Sequence, residues 1–258
     1  MIKKAPAKVN IFLKITGTRG DYHTLASRFV RVDWLYDTLS FEPKMDKDEA
    51  FELIGDFSCP NKNNTIFKAA NLLLESKKGS KVSKLLDAYA LHVKKSIPEG
   101  AGLGGGSSDA ATFLHMCNEA AGLKYTTKEL AEIGSKVGAD VPFFVYGFKS
   151  ANVRGIGEII EPFEENTPSI EIVTPPFTCG TKNVYEHFRK HRLGFIDSDL
   201  ASKMLTLDSH TLLTSYEASS LNDLMVSALA LYPQLTAYIN PGWCMSGSGS
   251  SLFRMKDG

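Results

Sequence analysis

Val9, Ile11, Leu13 and Ile15 alternate with Asn10, Phe12, Lys14 and Thr16 near the start of the chain. Successive side chains of a strand leave opposite faces, so this period of two predicts a strand with one strongly apolar face. Residues 29–35 and 39–41 read as further strands, and the alternation of Tyr89, Leu91 and Val93 predicts another that runs into Lys94 and Lys95. Elsewhere the period lengthens. Ile66, Ala69, Ala70, Leu73 and Leu74 fall at i, i+3, i+4, i+7 and i+8, the stripe of an amphipathic helix, with Asn64 at its N-cap position. A second helix is expected over about 108–121, stopped by Gly122. A third follows the capping box Thr126-Thr127-Lys128-Glu129, with Leu130, Ile133, Gly134 and Val137 at helical spacing. Residues 143–146 read as a short apolar strand.

The second half predicts a strand at 170–173, a helix at 183–191, helices near 205–213 and 221–231, and a last strand at 251–255. The pattern changes around 148–154, which suggests a division into domains 1–150 and 151–258. Mixed helices and strands without regular alternation predict an α+β chain and not a barrel. From Leu224 to Phe253 no residue is charged. Pro233, Gln234, Asn240, Pro241 and a Gly/Ser cluster interrupt that run, so it does not read as a membrane span, which needs ~20 apolar residues in a row.

Charge narrows the function classes. Lys+Arg and Asp+Glu both number 29, which argues against a broad basic face for nucleic acid or an anionic membrane. Cys59, Cys117, Cys179 and Cys244 show no CxxC spacing, and a chain of 258 residues builds a core without disulfide staples. Reduced thiols and a cytoplasmic protein are therefore expected. Lys8 and Lys14 interrupt any apolar run at the N-terminus, so no signal peptide is expected there.

The segment from Ser96 to Thr112 carries the chemistry. Five of the seven positions from 100 to 106 are glycine, which serves neither helix nor strand stability. Such a backbone turns with positive φ and lets a ligand approach its N–H groups. Ser107 and Ser108 then open a helix, whose free donors and positive dipole end make an anion site, most often for phosphate. A flexible linker or tight turn is the plain alternative. GxxxxGK[ST] is absent, so this is not a P-loop. Gly100, Gly102 and Gly105 match GxGxxG, but Pro98 intervenes after the strand and Glu129 sits in a helix cap, against a dinucleotide fold. The HRD and DFG signatures of protein kinases are missing.

Pro98-Glu99-Gly100-Ala101-Gly102-Leu103-Gly104-Gly105-Gly106-Ser107-Ser108-Asp109-Ala110-Ala111 resembles the second motif of the GHMP kinases, the family of galactokinase, homoserine kinase and mevalonate kinase. Residues 6–25 resemble the first motif in the branch that phosphorylates 4-diphosphocytidyl-2-C-methyl-D-erythritol. Met245-Ser246-Gly247-Ser248-Gly249-Ser250-Ser251-Leu252-Phe253 resembles the third motif, and Gly138-Ala139-Asp140-Val141-Pro142-Phe143-Phe144 the segment with the family's acidic residue. Together they span nearly the whole chain.

The resemblance implies a two-domain α+β GHMP kinase fold: a ribosomal-protein-S5-like N-terminal domain and a reduced ferredoxin-like C-terminal domain, with ATP and substrate meeting in the cleft. It implies transfer of the ATP γ-phosphoryl to the substrate's 2-hydroxyl in the non-mevalonate isoprenoid precursor pathway. Asp140 would be the general base and Lys8 the cation beside it. Pro98 through Ser108 would wrap the ATP phosphates, with Asn64 and Lys95 near the nucleotide. Mg²⁺ would arrive with ATP, without a dedicated protein metal site, and Ser108 is the candidate to touch it. Asn10, Tyr22, His23, Thr181 and Tyr185 would contact the cytidine substrate, Tyr22 and Tyr185 sandwiching the base and His23 bonding its edge. Gly247 and Gly249 would bring the third-motif loop close to the phosphates and the glycine-rich loop. The partners implied are small molecules, not nucleic acid or membrane, with the protein a monomer or homodimer.

Plainer readings of the same residues are a helix cap for Asp140 and Asn64, a solvated strand lysine for Lys8, core for Tyr185, a strand start for Tyr22-His23 and a hairpin turn for Gly247–Gly249. The chain also departs from the family pattern. Asp21 runs straight into Tyr22 where a glycine usually intervenes, and Tyr185 stands where Phe is common. In the family pattern relatives usually continue for a few dozen residues past the third motif, so the resemblance implies a C-terminal domain without a closing helix and strand. Another small-alcohol kinase of the family and a catalytically dead nucleotide-binding protein are the competing functions. The Tyr-His segment disfavours the first, and the presence of both Lys8 and Asp140 the second.

Overall fold

A computed structural model of the chain describes residues 1–44, 51–60 and 63–256. Two long strands dominate its first part. β1 (Ile2–Arg19) and β2 (Tyr22–Pro43) pair as a hairpin across Gly20 and Asp21. The expected strands at 9–15, 29–35 and 39–41 are parts of these two. The chain divides into two units that interleave along the sequence. One holds Met1–Ala7, Asp33–Ile97 and Gly104–Gly147; the other holds Lys8–Val32, Pro98–Leu103 and Phe148–Gly258.

In the first unit, β4 (Tyr89–Lys94) runs antiparallel to the end of β2, from Thr38 opposite Lys94 to Pro43 opposite Tyr89. The short β3 (Leu53–Gly55) lies parallel to β4. Five helices accompany these strands: α1 (Thr65–Leu74), α2 (Gly79–Ala88), α3 (Gly105–Ala120), α4 (Thr127–Val137) and α5 (Val141–Tyr146). α3 packs on α1, α4 and α5. Its Phe113, Leu114, Met116 and Cys117 are fully buried, as are Ile66, Ala69, Ala70 and Leu73 of α1. Burying a Leu- or Phe-sized side chain stabilises by ~1.5–3 kcal/mol, so these two faces hold the unit together. The capping box is present, Thr126 accepting from Glu129 N and Glu129 accepting from Thr126 N.

Residues 143–146 form helix α5, not a strand. The apolar run Val-Pro-Phe-Phe-Val-Tyr has no period, and Pro142 in the first turn and left-handed Gly147 at the end decide for helix.

In the second unit, β5 (Ser150–Gly155) pairs antiparallel with Leu25–Val30 of β2, and β6 (Ile159–Pro162) with β5. Arg28 is fully buried there. Its Nε donates to Asn152 Oδ1 at 2.7 Å, and its guanidinium lies 3.3 Å from the Phe163 ring centre. A separate antiparallel sheet has the order β7 (Ile170–Val173), β9 (Leu252–Met255), β8 (Cys244–Met245). α6 (Thr181–His191) contributes Val184 and Phe188 to a core with Leu13, Ile15, Leu224, Ala228, Leu235 and Leu252.

The expected helix near 205–213 is α8 (Ser209–Ser215), started by the Asp208 cap, and a helix not expected from the sequence, α7 (Ser198–Met204), precedes it behind its own cap, Asp197. The expected helix at 221–231 is two helices, α9 (Ala218–Leu221) and α10 (Met225–Leu231). Between them the Asn222 side chain bonds to loop carbonyls, and Asp223 N donates to Leu13 O at 2.9 Å. Among the described residues no helix is long and apolar enough to cross a membrane.

Candidate functional site

The polar face of β1 is buried. Lys8, Asn10 and Lys14 share one side of the strand and are 3%, 2% and 5% exposed. Buried polar groups need partners, and these have them. Lys8 Nζ donates to Asn10 Oδ1 at 2.6 Å and stands 4.4 Å above the Phe29 ring centre. Asn10 Nδ2 donates to Ser27 Oγ at 3.0 Å, and Asn10 N to Ser246 Oγ at 3.2 Å. Lys14 forms an ion pair with Asp223, whose second oxygen accepts Ile15 N at 2.8 Å.

Ser246 links this face to the glycine-rich segment, its Oγ donating to Gly102 O at 2.9 Å. Gly102 has φ +80°, and a β-carbon there would lie 2.2 Å from Ser246 O. Ser251 N donates to Ala101 O at 3.1 Å, and Lys8 N to Leu103 O at 2.9 Å. The third-motif loop and the first half of the glycine-rich loop are therefore laid backbone against backbone. Asn222 Nδ2 holds the third-motif loop from beneath, through Met245 O at 2.7 Å and Gly247 O at 2.9 Å. Thr181 at the start of α6 bonds Ser248 through their hydroxyls at 2.9 Å.

Gly100, Gly102 and Gly104 all have positive φ, at every second position. Ala101 and Leu103 between them do not have positive φ, so handedness alternates along the segment, the pattern from which anion nests are built. Gly104 is the N-cap of the 16-residue α3 and supplies no side-chain acceptor to its first turn. Ser108 is fully buried in that turn, and its Oγ has no hydrogen-bond partner among the described residues. An orphaned hydroxyl at a helix start suits a polyphosphate and its counter-ion. Pro98, Glu99, Gly105 and Ser107 are half-buried, Gly100 and Gly106 exposed, and Ala101 and Leu103 buried. Thr65 Oγ1 fixes Gly106 by donating to its carbonyl at 2.6 Å.

Asn64 does cap α1, accepting Ile66 N at 2.8 Å. Lys95 donates to two carboxylates, Asp37 at 2.5 Å and Asp109 at 2.6 Å. Asp140 is half-buried at the N-cap of α5, but its carboxylate makes no capping hydrogen bond.

Tyr22 and His23 lie on opposite faces of β2, Tyr22 66% exposed and His23 buried. The His23 ring packs on Tyr185 at 5.3 Å and edge-on to Phe188 at 5.9 Å. Its Nε2 is buried with no hydrogen-bond partner among the described residues. Burial, and then the positive charge of Arg189, hold the imidazole below its ordinary pKa, so it is neutral at pH 7. Arg189 also donates to Gly20 O at 3.2 Å and to Tyr22 O at 3.3 Å. Sequence reasoning missed Arg189, Ser246, Asn222, Asp37 and Asp109. Each acts through contacts remote in sequence, and only Ser246 and Asp109 carried a signal, as parts of the third and second motifs.

Residues 64–148 match the GHMP kinases N terminal domain family model. Curated relatives named 4-diphosphocytidyl-2-C-methyl-D-erythritol kinase include one from Sulfurimonas denitrificans, 50% identical over 98% of this chain and 96% of its own length. One from a Sulfurovum species is 47% identical over 98% of both chains. A crystal structure of 4-(cytidine 5'-diphospho)-2C-methyl-D-erythritol kinase superposes with a TM-score of 0.76 at 31% identity, covering 100% of this chain and 91% of that one.

Proposed function

The chain belongs to the 4-diphosphocytidyl-2-C-methyl-D-erythritol kinase family, a branch of the GHMP kinases, and we propose that it moves the γ-phosphoryl of ATP onto the 2-hydroxyl of that substrate. The observation that carries this reading is the uncapped start of α3 with the orphaned Ser108 hydroxyl in its first turn. The N–H groups of Glu99–Leu103 and of Gly104 to Ser107 would hold the phosphates, with the Pro98 and Ser108 ends framing them, and Asn64 would lie at the nucleotide. Ser108 is the side chain that would touch Mg²⁺ carried with ATP, and the ion would supply positive charge at the phosphates.

Asp140 takes the proton from the attacking hydroxyl, and Lys8 supplies positive charge to the phosphoryl as it transfers. The bonds change in line: the hydroxyl oxygen joins the γ-phosphorus as the bridging oxygen leaves with ADP. The protein's work is positioning and fixed charge. Neutral, buried His23 on Tyr185 fits an edge hydrogen bond to cytosine, with Tyr22, Asn10 and Thr181 completing that side and Gly247 and Gly249 closing the loop over it. The family division into domains 1–150 and 151–258 and a cytoplasmic location belong to the same proposal.

Incubation with ATP, Mg²⁺ and 4-diphosphocytidyl-2-C-methyl-D-erythritol, followed by mass detection, should show a product heavier by one phosphoryl group. A panel with homoserine and mevalonate separates this activity from other small-alcohol kinases, and absence of any product would leave a nucleotide-binding protein only.

A further inference from the structure

Lys95 sits in surroundings unlike those of a simple nucleotide ligand. Its side chain is 11% exposed and meets two carboxylates, Asp37 Oδ2 at 2.5 Å and Asp109 Oδ2 at 2.6 Å. Asp37 is fully buried, and its Oδ1 accepts Ser96 N at 2.5 Å and Ile97 N at 2.8 Å. The β2–β4 register ends with Thr38 opposite Lys94, so Asp37 and Lys95 are the next facing positions. Asp109 comes from the opposite side, on α3, is 2% exposed, and its Oδ1 has no hydrogen-bond partner among the described residues. A β-carbon on Gly105 would lie 3.0 Å from Ile97 Cγ2 and 3.6 Å from Asp37 Oδ2, so the helix start fits directly against this cluster.

The attachment points are the two ends of the glycine-rich loop. Ser96 and Ile97 precede Pro98, and Asp109 follows Ser108. Glycines lose more freedom on ordering than any other residue, so a loop this rich in them binds weakly unless its ends are fixed beforehand. When both are ionised, two buried carboxylates against one ammonium leave negative charge next to a site for a polyanion, which opposes ATP electrostatically. A geometric role accounts for their presence where charge complementarity does not.

We infer that Asp37, Lys95 and Asp109 form a clamp that fixes both ends of the glycine-rich loop and so pre-orders it for ATP, making Asp37 and Asp109 positioning residues for the phosphoryl transfer. The inference rests on the reading that this loop holds the ATP phosphates. Charge and clamp predict opposite signs for Asp109→Ala. Removing an anion beside ATP would tighten binding; releasing the clamp weakens it.

The test is calorimetric titration of wild type, Asp109→Ala and Asp109→Asn with Mg-ATP, together with KM for both substrates. The clamp expects Asp109→Ala to bind ATP about 10-fold more weakly with the second substrate's KM unchanged. Asp109→Asn keeps an oxygen acceptor for Lys95 and should return affinity to within about 3-fold of wild type. Asp109→Ala binding ATP as tightly as wild type or more so, or a shift of both KM values together, overturns the clamp. Should the alanine variant prove unfolded by thermal melting, hydrogen exchange on Asp109→Leu, which fills the space but offers Lys95 no acceptor, decides. The amides of 99–104 should exchange faster than in wild type while those of 110–120 do not, and equal exchange overturns the clamp. Wild type that binds no ATP would overturn the kinase reading itself.

Discussion

The carbonyl oxygen of Ser246 occupies the space where a side chain at Gly102 would begin, 2.2 Å from an ideal β-carbon. Residues far apart in sequence are thereby held in backbone contact, and the backbone at 102 is left-handed as well, with φ +80°. Gly102→Ala must push the two loops apart and adds ~1–2 kcal/mol of backbone strain. A displacement of about 1 Å at a positioned phosphate is enough for ~100-fold in rate. We expect kcat/KM to fall by about that factor while circular dichroism stays native; a variant within three-fold of wild type would show that the close approach is irrelevant to catalysis.

Asp140→Asn keeps the shape of the side chain and removes its basicity. Turnover should drop by ~10²–10⁴, the range for a lost general base, with ATP affinity kept. Lys8→Ala should also act on kcat more than on ATP binding. It leaves the buried Asn10 oxygen without its charged donor, a loss of ~1–3 kcal/mol in stability that thermal melting will register. If melting changes and kcat does not, Lys8 is a structural lysine.

Arg189→Ala should raise the His23 pKa toward its ordinary 6.5, since one of the two causes holding it down is removed. NMR titration of the imidazole reads this directly. The sign for stability follows: the unfolded chain takes up a proton near pH 6.5 that folded His23 refuses, so this contribution is full above that pH and is lost as pH falls below it. Loosening of the Gly20–Tyr22 turn should raise KM for the cytidine substrate about 10-fold and leave KM for ATP alone.

Asp109 is pushed up to about 7 by burial and by the neighbouring charge of Asp37, against the pull of Lys95. Between its ordinary 3.8 and about 7 the folded protein keeps a proton that the unfolded chain releases. Stability from this group therefore declines as pH rises through that window and is flat above it. Asp109→Asn removes the effect, so melting temperature plotted from pH 5 to 8 should be shallower for the variant than for wild type. Parallel curves would mean that Asp109 is ionised throughout.

The strand and helix periods of the first half were legible because an apolar stripe has few alternatives. What periodicity could not show is that the polar side of β1 is buried too. Lys8, Asn10 and Lys14 look like a solvated edge until Ser246 and Asp223, more than 200 positions away, are seen to meet them. α5 was misread because six apolar residues in a row carry no period, although Pro142 and Gly147 were the available signals. Asp197 and Asp208 were likewise readable as caps, the first starting α7, which periodicity did not show, and the second setting the start of α8. β5 and β6 went unseen because their apolar positions are few and their partner is a strand distant in the chain. The glycine-rich and third-motif segments were legible as motifs, but their mutual contact was not, since hydrogen bonds between two loop backbones leave no mark on side-chain composition.

The threading of β1 and β2 through both units has a practical consequence for anyone dissecting the protein. No single cut separates the two. A fragment ending near residue 147 would keep β2 but lose β5, leaving the edge from Leu25 to Val30 without its ladder. Bare edges of that kind recruit other chains, so such a fragment should precipitate instead of behaving as a free-standing nucleotide-binding module.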